Sequence, residues 1–161
     1  MSKRLPTTET VVTQVVEEPS GRGAQRTLTD ESGDPGEQAL ADLTRIGHEA
    51  FEAGRAEEAR VVFESVVALG SRDPFARTML GTIFLKAQAL DVAMMHFEAA
   101  LEIDGTDLAA LVYRGEIRLS RRKMSLAVAD FERAVKLGDR TDPFVMRAKK
   151  LLTLARANPT R

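Results

Sequence analysis

Few residues of this chain are of the types that carry out chemistry. The sequence has two histidines, His48 and His96, and no cysteine, and neither histidine has a ligand partner at a zinc-site spacing. It contains no Gly-Lys-Ser/Thr phosphate-binding loop. Its many carboxylates lie in helical patterns, where solvated or i,i+4-paired side chains are typical. The sequence therefore predicts a protein that is not an enzyme and that needs no metal or cofactor.

The elements that carry these residues repeat with a period of 34. Identical residues fill four columns at this spacing. These columns are Gly47, Gly81 and Gly115; Ala59, Ala93 and Ala127; Phe63, Phe97 and Phe131; and Glu64, Glu98 and Glu132. Similar apolar residues fill further columns, so three copies of one structural unit follow one another.

Each copy has the pattern of two antiparallel helices joined by a short turn. In the second copy one apolar stripe precedes the turn at Lys86 to Asp91 and another follows it. Small residues, Gly81 and Ala93, are expected where the paired helices approach most closely. Asp73 before Pro74 predicts a helix start. Gly70 and Gly138 predict left-handed helix ends.

A 34-residue helix-turn-helix with these small and aromatic positions resembles the tetratricopeptide repeat (TPR) family. The resemblance covers about residues 39–141 and implies an all-α fold, a short right-handed α-solenoid of three helix pairs. The repeats are expected at about 40–73, 74–107 and 108–141, in a domain of residues 37–161. Asp142-Pro143-Phe144 opens a further helix, about 142–157, that is expected to cap the last apolar face. The family's early tryptophan and its repeat-ending proline are missing.

In this family the first helix of each pair lines a concave surface that binds partners. Carrying that over by repeat position gives candidate groove residues: Thr44, His48, Phe51, Phe75, Thr78, Thr82, Leu85, Val112, Tyr113, Glu116 and Leu119. Phe51, Leu85 and Leu119 share one column and predict an apolar strip. Such strips usually mark a binding site. Packing of the same residues between repeats is the alternative.

A second candidate surface is basic. Residues before Arg114 include 10 Lys and Arg against 19 Asp and Glu, and those from Arg114 onward include 13 against 5. The patch comprises Arg114, Arg118, Arg121, Arg122 and Lys123. Arg114 and Arg118 fall at positions that are normally apolar. We expect their stems to pack while their heads reach solvent. Pairing with an acid such as Glu116 or Asp130, or gripping a partner, is the alternative.

Residues 1–36 are predicted to be a disordered tail. They are rich in Thr, Ser, Gly, Pro and Glu and lack helical periodicity. Clustered threonines from Thr7 to Thr13 make regulation by phosphorylation conceivable.

Two TPR subclasses bear on function. One binds the C-terminal carboxylate of heat-shock chaperones through lysines, asparagines and an arginine. The matching positions here are Thr44, His48, Met79, Ala109 and Tyr113, so that role is disfavoured. The chain also resembles the translocator chaperones of bacterial type III secretion, in size and in Gly54-Arg55-Ala56-Glu57-Glu58-Ala59 and Gly115-Glu116. This resemblance implies an apolar groove that takes an extended peptide.

The sequence thus predicts a protein-interaction module, an adaptor or chaperone that binds a partner peptide or helix in its concave groove. The alternative is a structural assembly subunit that uses the solenoid ends and the basic C-terminal helix. The pattern disfavours nucleic-acid binding because the basic residues lack interleaved aromatics, and it is compatible with self-association into a homo-oligomer. No apolar run is long enough to span a bilayer, and a cytoplasmic location is expected.

Overall fold

The computed structural model of the protein describes residues 36–157, and within them all regular structure is helical. The predicted disordered tail, apart from Gly36, lies outside these residues. The helices are α1 Glu37–Glu52, α2 Ala56–Ala68, α3 Pro74–Lys86, α4 Leu90–Ile103, α5 Leu108–Ser120, α6 Met124–Leu137 and α7 Pro143–Ala157. The predicted all-α class is confirmed for this part of the chain.

The helices belong to two compact units. The first, within Met1–Ser71, contains α1 packed on α2. The second, Arg72–Arg161, contains α3 to α7, in which each helix packs on the next one along the chain. Within this second unit α5 also contacts both α3 and α7, so the first helices of successive pairs lie side by side.

Each helix pair is closed by a phenylalanine ring lying on a glycine. A Cβ atom placed on Gly81 would lie 2.6 Å from Phe97, and one on Gly115 would lie 2.5 Å from Phe131. The ring of Phe63 takes the same position on Gly47 in the first unit. Since real Cβ atoms do not approach other atoms as closely as 2.6 Å, glycine is required at positions 81 and 115 by the helix–helix distance, and the 3.0 Å approach at Gly47 is tight. The predicted close approach at Gly81 is confirmed.

The predicted helix ends are confirmed at one glycine and wrong at the other. The Asp73 carboxylate accepts a hydrogen bond from Phe75 N at 2.9 Å, and Gly70 adopts the left-handed conformation, with φ +79°. Gly138, in contrast, has φ −98°. A Cβ there would meet Leu108 and Val145, each at 2.5 Å. Close packing, rather than left-handed backbone, explains Gly138.

The turns within the three pairs share one backbone conformation. Gly54, Gln88 and Arg122 stand 34 residues apart and all have positive φ, of 75°, 61° and 58°. In each turn the next residue's N–H bonds back to a carbonyl five residues earlier, as Ala89 N does to Phe84 O at 2.9 Å. Only the first turn places a glycine at this left-handed position, where L side chains are strained.

The core of the second unit consists of two clusters. One surrounds Phe97 and Ile117 between α4 and α5, and the other surrounds Phe131 and Leu111 between α5, α6 and α7. Alanines at the helix crossings, such as Ala93 and Ala127, are fully buried. The cores thus hold α3, α5 and α7 in fixed relation, which positions the side chains described next.

Candidate functional site

The candidate groove residues of the first unit lie on α1. Thr44 and Phe51 are half-buried. His48 is exposed, and its Nε2 atom lies 3.9 Å from a carboxylate oxygen of Glu52.

The candidates on α3 differ strongly in exposure. Phe75, in the first turn, is 39% exposed. Thr78 is buried, and its hydroxyl donates to the Asp107 carboxylate at 2.6 Å. Thr82 is half-buried and donates its hydroxyl to the Thr78 carbonyl at 2.8 Å. Leu85 is half-buried against the Phe97 cluster. Of the four, Thr78 has a structural role because it ties α3 to the start of α5.

Tyr113 is the best-supported candidate on α5. Its ring stacks on Phe97 with centroids 5.6 Å apart and forms a T-shaped contact with Phe144, with centroids 5.7 Å apart. The Arg147 guanidinium lies 5.5 Å from the ring centroid, within cation–π range. The ring remains partly exposed. It is therefore a fixed aromatic surface supported by three neighbours.

Glu116 and Arg147 form an ion pair across α5 and α7. Arg147 Nη2 donates to Glu116 Oε2 at 2.9 Å, and Nε donates to Oε1. This hydrogen bonding raises the pKa of Arg147 above its usual value. Because Arg147 occupies both carboxylate oxygens, the charge of Glu116 is neutralised within the pair.

Arg147 was not among the candidate groove residues predicted from the sequence. It stands 34 residues after Tyr113, so α7 continues the repeat pattern as the first helix of a further copy. Extending the 34-residue columns beyond the third repeat would have found it.

Val112 does not belong to the candidate groove. Its side chain is 0% exposed and packs in the cluster of Phe131, Ala148 and Leu152. Its neighbour Tyr113 points in a different direction, against Phe97 and Phe144, because adjacent helical residues are separated by about 100°. Leu119 touches the same cluster but stays half-buried, and so remains a candidate.

Arg114 and Arg118 are not a free basic surface. Both bind Asp130, which is 3% exposed, through contacts of 2.7 Å. The arginine side chains are only 15% and 17% exposed, and Arg118 also lies 3.8 Å from Glu98. The prediction that their guanidinium groups reach solvent is wrong. The alternative, that they pair with an acidic residue, is confirmed. Buried charges need such partners.

The rest of the basic patch lies at the turn between α5 and α6. Arg121 Nη2 bonds to the exposed carboxylate of Asp91 at 2.6 Å. Arg122 and Lys123 are exposed. The predicted patch therefore divides into two half-buried arginines that bind Asp130 and three residues nearer the surface.

Between residues 36 and 157 there is no group of three His, Asp or Glu side chains placed to hold a metal ion. No helix there combines the length and apolarity that a bilayer crossing needs.

No protein-family model matches the sequence. No characterised protein matches it at the sequence level either. Solved structures do match. The type III secretion translocator chaperone SycD of Yersinia enterocolitica aligns with a TM-score of 0.71 at 17% identity, over 88% of this chain and 98% of that one.

A complex of SycD with a peptide of the translocator YopD aligns with a TM-score of 0.67 at 18% identity, over 80% of this chain and 98% of that one. The first TPR of Spaghetti (RPAP3), bound to the HSP90 peptide SRMEEVD, aligns with a TM-score of 0.68 at 19% identity, over 78% of this chain and 97% of that one. At these identities the likeness concerns the fold alone. With the 34-residue columns and the glycine–phenylalanine closures, it shows that the chain has the tetratricopeptide-repeat fold.

Proposed function

We propose that this protein is a non-enzymatic interaction module that binds a peptide or helix of a partner protein. The binding surface, which we call the Tyr113 face, consists of Leu85 on α3, Tyr113, Glu116 and Leu119 on α5, and Arg147 on α7. The observation that carries the proposal is Tyr113 itself. Its ring is held by Phe97, Phe144 and Arg147 yet stays partly exposed.

Rigid, partly exposed aromatic and apolar side chains make good anchors because little side-chain entropy is lost when a partner covers them. Leu85 on α3 and Leu119 on α5 add two such side chains, both half-buried. Since Glu116 and Arg147 neutralise each other, the Tyr113 face favours an apolar, uncharged partner segment.

The likeness to SycD and RPAP3 supports the class of function, because both of those proteins have been solved in complex with a peptide. It does not extend to the heat-shock ligand. The heat-shock-binding TPR subclass holds the C-terminal carboxylate of its ligand with cationic side chains. At two of the matching positions this chain has Met79, which is buried, and Tyr113, which packs between two rings, and neither is cationic. We expect SRMEEVD to bind no better than its scrambled sequence.

The test uses the full chain and apolar peptides selected against it from a random library. Leu85→Glu with Leu119→Glu is expected to weaken binding by about 100-fold or more, since central anchors each contribute about 2 kcal/mol. Met95→Glu with Leu126→Glu is the matched control. These two side chains are 59% and 47% exposed on the second helices, α4 and α6.

Circular dichroism and thermal melting check that both double variants fold. Should the half-buried leucines not tolerate glutamate, Leu85→Thr with Leu119→Thr replaces that pair. Equal loss in the control pair would contradict the proposal. Retained binding in the groove variant, with loss on Arg121→Glu and Arg122→Glu, would favour the assembly subunit instead.

The finer role is a chaperone rather than an adaptor, and we propose it on the likeness to SycD. A chaperone's partner aggregates when expressed alone and becomes soluble with the wild-type chain, whereas an adaptor's partner is soluble by itself. Co-expression with the partner identified by affinity purification distinguishes the two.

A further inference from the structure

A second concave surface lies between α6 and α7, with no residue in common with the Tyr113 face. It is a groove of about 640 Å³, which we call the α6–α7 groove. Its lining residues are Glu132, Val135 and Lys136 on α6 and Lys149, Leu152, Thr153 and Arg156 on α7.

The floor of this groove is apolar and fixed. Leu152 belongs to the buried core around Phe131, and Val135 packs against the same core while staying partly exposed. Thr153 donates its hydroxyl to the Lys149 carbonyl at 3.0 Å, so this hydroxyl is already paired within α7. The floor therefore suits one apolar side chain of a ligand.

The rim of the groove carries uncompensated positive charge. Its one carboxylate, Glu132, is already bound by Arg156 at 2.8 Å. Lys136 and Lys149 are exposed, and neither forms a salt bridge with any residue from 36 to 157. Two ammonium groups thus flank an apolar floor, in the C-terminal part of the sequence, from Arg114 onward, where basic residues outnumber acidic ones by 13 to 5.

The length of the groove limits what it can hold. On α7 its lining runs from Lys149 to Arg156, two helical turns or about 10 Å. An extended segment of about three residues spans that distance. From this geometry we propose that the α6–α7 groove binds a short acidic segment of a partner protein, in which one apolar residue lies between acidic ones.

The apolar residue packs between Val135 and Leu152, and its acidic neighbours pair with Lys136 and Lys149. A partner that also occupies the Tyr113 face is then held at two sites, one selecting apolar residues and the other acidic ones. Two linked contacts raise the overall affinity without any new contact at either site.

The experiment uses the full chain and three labelled peptides. The acidic peptide is Asp-Asp-Leu-Asp-Asp, the second has serine in place of leucine, and the third has lysines in place of the aspartates. Fluorescence anisotropy is measured at low and physiological salt, where attraction between exposed charges weakens. We expect saturable binding of the acidic peptide below about 1 mM, and at least tenfold weaker binding of the other two.

Two double variants with the same net charge locate the site. Lys136→Gln with Lys149→Gln is expected to weaken binding about tenfold and to flatten the salt dependence. Lys123→Gln with Lys150→Gln removes two exposed lysines that do not line the groove and is expected to change binding less than twofold. All four lysines are exposed, so both variants are expected to melt as the wild type does.

Three outcomes overturn the proposal. The first is equal loss in both double variants, which would mean diffuse ionic attraction. The second is equal binding of the leucine and serine peptides, since the apolar floor would then have no role. The third is binding of phosphatidylserine vesicles, but not of the acidic peptide, in a manner that depends on Lys136 and Lys149.

Discussion

The hydroxyl of Thr78 on α3 donates a 2.6 Å hydrogen bond to the carboxylate of Asp107, the residue that caps α5. The other carboxylate oxygen of Asp107 accepts from Ala110 N at 2.9 Å. One side chain therefore starts α5 and joins it to the preceding helix pair. Thr78, at one end of this link, is buried, and Asp107, at the other, is half-buried.

We expect Thr78→Val to lower the free energy of unfolding by about 1–3 kcal/mol, because a hydrogen bond to a charged acceptor is lost. Asp107→Ala removes the cap as well and should cost about 1–2 kcal/mol more. Urea unfolding of both variants and of the double variant gives the coupling between the residues. Strict additivity of the two costs would show that the hydrogen bond contributes nothing to stability.

Gly81→Ala should destabilise the protein by about 1–3 kcal/mol through overpacking on the Phe97 ring, although alanine is the better helix former. Phe97→Ala should cost about 3–5 kcal/mol because the ring is completely buried. Ala93→Leu, at the neighbouring crossing, should cost about 1–3 kcal/mol. Chemical denaturation measures all three. A gain in stability for Gly81→Ala would contradict the ring-on-glycine closure.

Asp130→Asn removes the carboxylate that Arg114 and Arg118 share and should cost about 3–5 kcal/mol. Replacing Arg114, Arg118 and Asp130 together with apolar residues should restore most of this stability, since no buried charge then remains. The melting temperatures of the single and triple variants test both expectations. If Asp130→Asn melts like the wild type, water compensates the arginines and the network is not structural.

The positive φ at Gly54 and Gln88 predicts opposite effects of two substitutions. Gly54→Ala should cost about 1 kcal/mol, purely from backbone strain, because nothing lies within 4 Å of the added Cβ. Gln88→Gly relieves the same strain and should be neutral or stabilising by up to about 1 kcal/mol. Thermal unfolding of the pair shows whether both turns share the left-handed conformation.

The sequence was informative about elements that repeat and less so about the third copy. The columns of Gly81 and Phe97 predicted the helix pairs because close packing imposes the same small and large residues each time. The same columns did not reveal that Arg114 and Arg118 bind Asp130, because Asp130 lies on the other helix of the pair. The guanidinium groups were therefore wrongly expected to reach solvent.

The candidate groove was predictable by position but not by orientation. Adjacent residues Val112 and Tyr113 both fall near the first-helix surface, yet only the contacts of α5 with α6 and α7 decide which one is buried. Arg147 was missed because the last helix was treated as a cap rather than as another first helix. The α6–α7 groove was not predicted because its shape is set by the packing of two helices against each other. The spacing of residues along a single helix does not give that packing.

The ring-on-glycine closures also bear on how the chain folds. In all three, the phenylalanine follows its glycine by 16 residues, so each core contact closes only a short loop. Short loops cost little entropy to close, and a topology dominated by such local contacts folds in microseconds to milliseconds. Each helical hairpin can therefore form early by itself and serve as the template on which its neighbour condenses.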